Sequence, residues 1–188
     1  MFALQVDKEL VLSACAPSHA TELWALIEAN RPHLREWLPW LDETTRIQHV
    51  DQFLRDSRRK AENGAGQTLL LLENRRIVGV LGQHYIDGID KKTELGYWLD
   101  AGSQGRGLMT RAMTRLLEHI FTDLELNRVV LHCGVENTRS RAIPERLGFA
   151  LEGILRQSQW LYDRYIDLAV YGLLEQDWRR LRQPGVIR

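Results

Sequence analysis

The spacing of apolar residues predicts a helix-bearing N-terminal part followed by strands, then a region where strands and helices alternate. Glu9 to Cys15 alternates apolar and polar side chains as a half-buried strand does. Pro17-Ser18 then opens a helix with Ser18 as its N-cap and Leu23, Trp24, Leu26 and Ile27 as its apolar stripe. Pro32 and Pro39 are expected to break the following stretch into short pieces. Ile47 to Glu62 reads as a second helix with Val50, Phe53 and Leu54 inward, ended by Asn63-Gly64-Ala65-Gly66.

Strand patterns dominate next. Thr68 to Leu72 and Ile77 to Tyr85 form an expected hairpin around Glu73-Asn74-Arg75-Arg76, and Asp87-Gly88 turns the chain into a strand from Thr93 to Asp100. The clearest periodic element follows. Met109, Ala112, Met113, Leu116, Leu117, Ile120 and Phe121 recur at helical spacing, and the next strand is Arg128 to Val135. A helix between two strands predicts a right-handed parallel crossover. The stretch from Gly153 to Leu174 reads as two more strands around Asp163-Arg164.

Between the Thr93–Asp100 strand and the periodic helix lies Gln104-Gly105-Arg106-Gly107-Leu108-Met109-Thr110. A glycine turn there leaves backbone N–H groups pointing outward, and the helix N-terminus adds partial positive charge. Such a turn suits a phosphate-bearing ligand. A P-loop would need Lys-Ser/Thr after Gly107, where Leu108 and Met109 stand. A dinucleotide fingerprint would need a third glycine where Thr110 stands, and an acidic residue about 20 positions on.

The remaining pattern, Gln/Arg-x-x-Gly-x-Gly/Ala, resembles the pyrophosphate loop of the GNAT N-acetyltransferases, with Met109 departing at the last position. Downstream, Asn137-Thr138-Arg139-Ser140 and Leu147-Gly148-Phe149 resemble the second half of the same signature. Gly96-Tyr97-Trp98-Leu99, Asn127-Arg128-Val129 and Tyr171-Gly172-Leu173-Leu174 with Trp178 resemble the RimJ/RimL branch, the ribosomal-protein N-acetyltransferases. The resemblance implies an α/β (mixed α+β) GNAT fold: a mostly antiparallel sheet of about seven strands with one splayed parallel pair, flanked by about four helices. It implies acetyl-CoA as co-substrate, no metal, and direct attack of a primary amine on the thioester. The implied acceptor is the N-terminal α-amine of a ribosomal protein, with a polyamine or an aminoglycoside as the small-amine alternative and a non-catalytic acyl-CoA-binding module as a third reading.

The resemblance also assigns roles. The amides of Gly105, Arg106, Gly107, Leu108, Met109 and Thr110 would hold the pyrophosphate, Arg106 adding charge and Gln104 bracing the loop. A backbone N–H near Trp98-Leu99 would stabilise the developing oxyanion, and that segment would pair with the pantetheine arm. Asn137 would bond the pantetheine amide as well as cap its helix. Many GNAT proteins carry a tyrosine seven residues after the Asn; Pro144 stands there, so Ser140 is the group left to donate to the departing sulfur. Glu94, on one strand face with Gly96 and Trp98, is the candidate base, and His84 and His132 are weaker ones. An α-amine, with pKa about 8, is easier to neutralise than a lysine at about 10.4. Trp37, Trp40, Asp42 and Glu43, with Trp160, Tyr162, Asp163 and Tyr165, are the candidate acceptor-side residues.

Composition narrows the rest. The 188 residues fit one domain, expected over 1–182 with a short tail at 183–188. Lys+Arg and Asp+Glu are both 25, which argues against direct nucleic-acid binding. No apolar run approaches 18 residues and no basic leader precedes one, so no membrane partner is expected and a cytoplasmic location is. Cys15 and Cys133 sit in apolar runs and are read as buried free thiols without metal-ligand spacing. The family resemblance alone makes a homodimer an expectation; the sequence shows no interface for one.

Overall fold

The computed structural model describes residues 2–182. The expected tail at 183–188 lies outside them. One sheet of eight strands runs through the described residues: β1 (Ala3–Gln5), β2 (Leu10–Ala14), β3 (Thr68–Glu73), β4 (Arg76–Asp87), β5 (Lys92–Leu99), β6 (Arg128–Gly134), β7 (Ala150–Leu161) and β8 (Arg164–Leu174). Their order is β1-β2-β3-β4-β5-β6-β8-β7, and β5–β6 is the parallel pair. Five α-helices flank the sheet: α1 (Ala20–Arg35), α2 (Ile47–Glu62), α3 (Leu108–Thr122), α4 (Thr138–Arg146) and α5 (Glu175–Arg182). This is the mixed α/β GNAT fold, with one strand and one helix more than expected.

Alternation along the central strands divides the core into two layers. Leu69 and Leu71 of β3 and Leu95 of β5 pack with Met113, Leu116, Leu117 and Ile120 of α3. Leu70 and Val80 face the other way, onto Leu23 and Ile27 of α1 and Val50 and Leu54 of α2. Each fully buried Leu contributes about 1.5–3 kcal/mol of hydrophobic stabilisation. The β3–β4 hairpin closes through Asn74 and Arg75, both at positive φ (48° and 68°), as a two-residue turn matched to the sheet's twist requires.

Several expectations need correction. Ser18 is not the cap: Pro17–His19 forms a 3-10 turn in which the Ala16 N–H donates to His19 Nδ1 at 3.1 Å. Pro32 does not end α1, which continues to Arg35 because Leu34 is buried on the same face as Ile27. Phe53 is 43% exposed, since the inward stripe of α2 runs through Val50, Leu54 and Ser57.

Candidate active site

The site is built on a fork. The parallel pairing of β5 with β6 runs only from Lys92↔Arg128 to Leu95↔Leu131. Beyond it β5 stays with β4, from Gly96↔Gly82 to Leu99↔Gly79, while β6 stays with β8, from His132↔Val170 to Gly134↔Leu168. The facing backbone edges therefore part. The Asp100 N–H donates to Val78 O at 2.8 Å. By the alternation of an antiparallel ladder, Trp98 and Gly96 also aim their amides at β4, whereas Tyr97 and Leu99 aim theirs into the gap. Of the expected pair Trp98-Leu99, then, the Leu99 amide faces the fork, and Trp98 contributes its indole near Trp40, 6.5 Å between ring centres.

At the head of α3, Gly105 and Gly107 adopt positive φ (75° and 72°), and Gly107 is the N-cap. This curls the loop so that none of the six amides from Gly105 to Thr110 donates to another group among the described residues. They form an unpaired donor cluster at a helix N-terminus, exposed at Gly105, Arg106 and Gly107 and covered at Leu108 and Met109, suited to an anion of pyrophosphate size. The Leu108 and Met109 side chains are buried in the core. The departure of Met109 from the motif therefore costs the loop no space. Gln104 is braced from two sides, by His33 Nε2 at 2.8 Å and Arg139 at 3.2 Å. Arg106 is bidentate on Glu73, 2.8 Å in both bonds, so its charge is already engaged. The strand end is anchored by buried Asn30 of α1, which donates to Asp100 Oδ1 and accepts from the Ala101 N–H, both at 2.9 Å.

On the α3 face of the fork, Asn137 caps α4 by accepting from the Ser140 N–H at 3.1 Å. Ser140 Oγ then lies 3.1 Å from Tyr97 Oη and 3.3 Å from Cys133 Sγ. Burial pushes the Tyr97 hydroxyl well above its ordinary pKa, and it raises the Cys133 thiol too. All three groups stay protonated at neutral pH. Cys15 is buried elsewhere and pushed up to about 12.

On the opposite face, Glu94 stands with Gly96 and Trp98 as expected from alternation. Its Oε1 is 3.1 Å from His84 Nδ1 and 3.3 Å from His132 Nδ1. The bond from His84, outweighing partial burial, holds the Glu94 carboxyl below its usual pKa, with His132 adding to the effect. The bulge in β4 between Gln83 and Tyr85 turns His84 onto this face, where its ring packs on Gly96 and leaves no room for a Cβ there.

The mouth beside this face is aromatic. Trp37 packs against Gly134, Arg35 stacks 3.9 Å over the Tyr162 ring, and Trp160 and Tyr165 meet edge-on at 4.8 Å, both largely exposed. Asp42 is held by Arg35 in two 2.8 Å bonds and is not free to receive a cation. Glu43 and Asp163 are exposed.

Sequence reasoning missed Tyr97, His33 and Arg139. Tyr97 was readable, since alternation puts it opposite Glu94, on the face where Cys133 and Ser140 lie. Arg139 and His33 reach Gln104 only through the tertiary fold. Among the described residues no three His, Cys, Asp or Glu side chains gather to hold a metal, and no helix is long and apolar enough to cross a membrane.

Residues 9–150 match the acetyltransferase (GNAT) domain family. The ribosomal-protein-serine acetyltransferase of Escherichia coli strain K12 is 30% identical over 168 residues, covering 89% of this chain and 94% of that protein. Among solved structures, RimL, a ribosomal L7/L12 alpha-N-protein acetyltransferase in complex with coenzyme A as a cysteine disulfide, superposes with a TM-score of 0.91 at 28% identity, covering 94% of this chain and 99% of that one. The microcin C7 self-immunity acetyltransferase MccE, in complex with acetyl-CoA and AMP, gives 0.86 at 30% identity, covering 90% and 94%. The chain therefore belongs to the GNAT acetyltransferases, in their RimJ/RimL-like branch, and is an acetyl-CoA-dependent N-acetyltransferase.

Proposed function

We propose that the enzyme acetylates the N-terminal α-amine of a ribosomal protein by direct transfer from acetyl-CoA. The observation that carries this is the pair of polar clusters on opposite faces of the β5–β6 fork. The six free amides at the head of α3 hold the pyrophosphate, and the parted edge of β5 pairs with the pantetheine arm. The Leu99 amide, aimed into the fork, is the donor for the developing oxyanion. Ser140, supported by Tyr97, hydrogen-bonds the leaving sulfur. The Glu94 cluster on the other face receives the proton that the acceptor ammonium must lose.

A terminal α-amine fits a site whose basic cluster is a carboxylate and two imidazoles, since about half of such amines are neutral near pH 8. The ribosomal choice is supported by the Escherichia coli relative and RimL. MccE, similar at 30% identity, favours a small-molecule amine as the second reading. Intact-mass detection of acetyl transfer to purified ribosomal proteins, with spermidine and an aminoglycoside in parallel, separates the two. A single ribosomal protein gaining one acetyl group at its N-terminus is the expected result; transfer only to a small amine overturns the acceptor while leaving the chemistry in place.

A further inference from the structure

The geometry points to His132 as the base that takes the amine's proton, with Glu94 as the positioning residue that orients it. This rests on the acetyltransferase reading above and refines it. Glu94 pairs in register with Val130, behind the last bonded position Leu95↔Leu131. His132 is the first residue of β6 past that point, and Cys133, next along, faces the opposite core layer. His132 is thus the first side chain of this face to stand at the opening, while Glu94 is recessed and only 21% exposed.

The carboxylate is also engaged. Both imidazoles direct Nδ1 at the same oxygen, Glu94 Oε1. With its Oε1 3.3 Å from His132 Nδ1, an ionised Glu94 favours the tautomer that carries the proton on Nδ1 and leaves Nε2 with its lone pair. His84 shares that oxygen, but its ring lies on Gly96, with Nε2 and Cε1 against the β5 backbone. The His84 side chain is 60% exposed and lies out on the sheet surface, whereas His132, at 30%, lines the opening itself.

The charged and titratable neighbours come from every adjoining element. β4 gives His84 and β5 gives Glu94. Arg128, on β6 itself, is paired to Glu152 of β7 above Gly172. Lys60 of α2 bonds the His84 carbonyl oxygen. β8 presents uncharged Val170 opposite His132, and the residue after α1 that reaches this end of β6 is uncharged Trp37.

The step balances as follows. The acceptor ammonium gives one proton to His132 Nε2, which later releases it to water. The freed nitrogen lone pair forms the C–N bond to the acetyl carbon as the C–S bond breaks. The sulfur leaves with the C–S bonding pair. The nitrogen's next proton is lost as the amide forms, and the departing thiolate gains one, giving a neutral amide and a thiol.

The test is kcat/KM against pH for His132→Asn, His132→Gln, Glu94→Gln and His84→Asn. The acceptors are a synthetic peptide with a free N-terminal serine and spermidine, and acetyl-CoA affinity is measured separately. In both His132 variants we expect kcat/KM to fall about 100-fold near neutrality, within the range for lost general-base catalysis. It should then rise with hydroxide, with added imidazole restoring part of the rate and acetyl-CoA affinity unchanged. Glu94→Gln should lose about tenfold and keep an acid limb, moved to lower pH; His84→Asn should lose less than either His132 variant and keep its acid limb. Wild-type pH profiles in both His132 variants, or loss of the limb in Glu94→Gln alone, overturn the assignment while the acetyltransferase reading stands. A wild type that binds acetyl-CoA yet acetylates no amine, in this pair or in the ribosomal panel, overturns both.

Discussion

Tyr97 and Ser140 hold each other by two hydrogen bonds: the Tyr97 hydroxyl donates to the Ser140 carbonyl oxygen at 2.9 Å and accepts from Ser140 Oγ at 3.1 Å. The first turn of α4 is thereby tied to β5. Tyr97→Phe should lower kcat about 10- to 100-fold with acetyl-CoA affinity nearly unchanged, because the serine loses the partner that orders its hydroxyl. Ser140→Ala should do the same, and the double variant should be little worse than either single one, since the pair acts as a unit. Full additivity in steady-state rates would refute that coupling.

Gly107→Asp should raise the Kd for acetyl-CoA about 100-fold or more by setting a carboxylate beside the amides proposed to receive the pyrophosphate. The variant should still fold. A Cβ at Gly107 meets nothing within 4 Å, and the φ of 72° costs an aspartate about 1–2 kcal/mol. Calorimetric titration together with a melting curve checks both halves.

Arg106 and Arg139 flank the same loop but should behave differently. Arg106 is engaged with both oxygens of Glu73, whereas Arg139 is exposed beside Gln104. Arg139→Ala should weaken acetyl-CoA binding about tenfold and reduce its salt dependence; Arg106→Ala should change it by less than about threefold. The reverse ranking in a salt titration would show that Arg106 leaves Glu73 to meet the cofactor.

Glu94 links the site to acid stability. Its folded pKa is lowered from 4.5, chiefly by the His84 bond. A depressed carboxyl contributes stability fully present above its unfolded pKa and lost as pH falls through the folded value. The melting-temperature gap between wild type and Glu94→Gln should therefore be open near pH 5 and close as pH falls below about 4.5. Thermal scans across that range decide it.

Asn30→Ala should cost about 1–3 kcal/mol in urea unfolding, since it removes a buried group bonded to both Asp100 and the Ala101 N–H. Acetyl-CoA affinity should drop with it, as the loop proposed to hold the pyrophosphate loses its tie to α1.

Legibility in the sequence followed the range of the interactions. The α2 and α3 boundaries came from periodicity, and the loop from glycines whose φ values are local. β1 is three residues long, too short to show a period. α5 buries Trp178 alone, so it had no stripe to read. Glu94 could be placed on its face by alternation, but not beside His132, because the parallel register was unknown. His84 was harder still: without the β4 bulge, its ring would not meet Gly96.

In the function proposed above, the parting of β5 and β6 makes the sheet a wall between two chambers, with the thioester in one and the amine in the other. Neither substrate blocks the other's door. Binding should be possible in either order, double-reciprocal plots should intersect, and each product should inhibit competitively against only the substrate that shares its chamber.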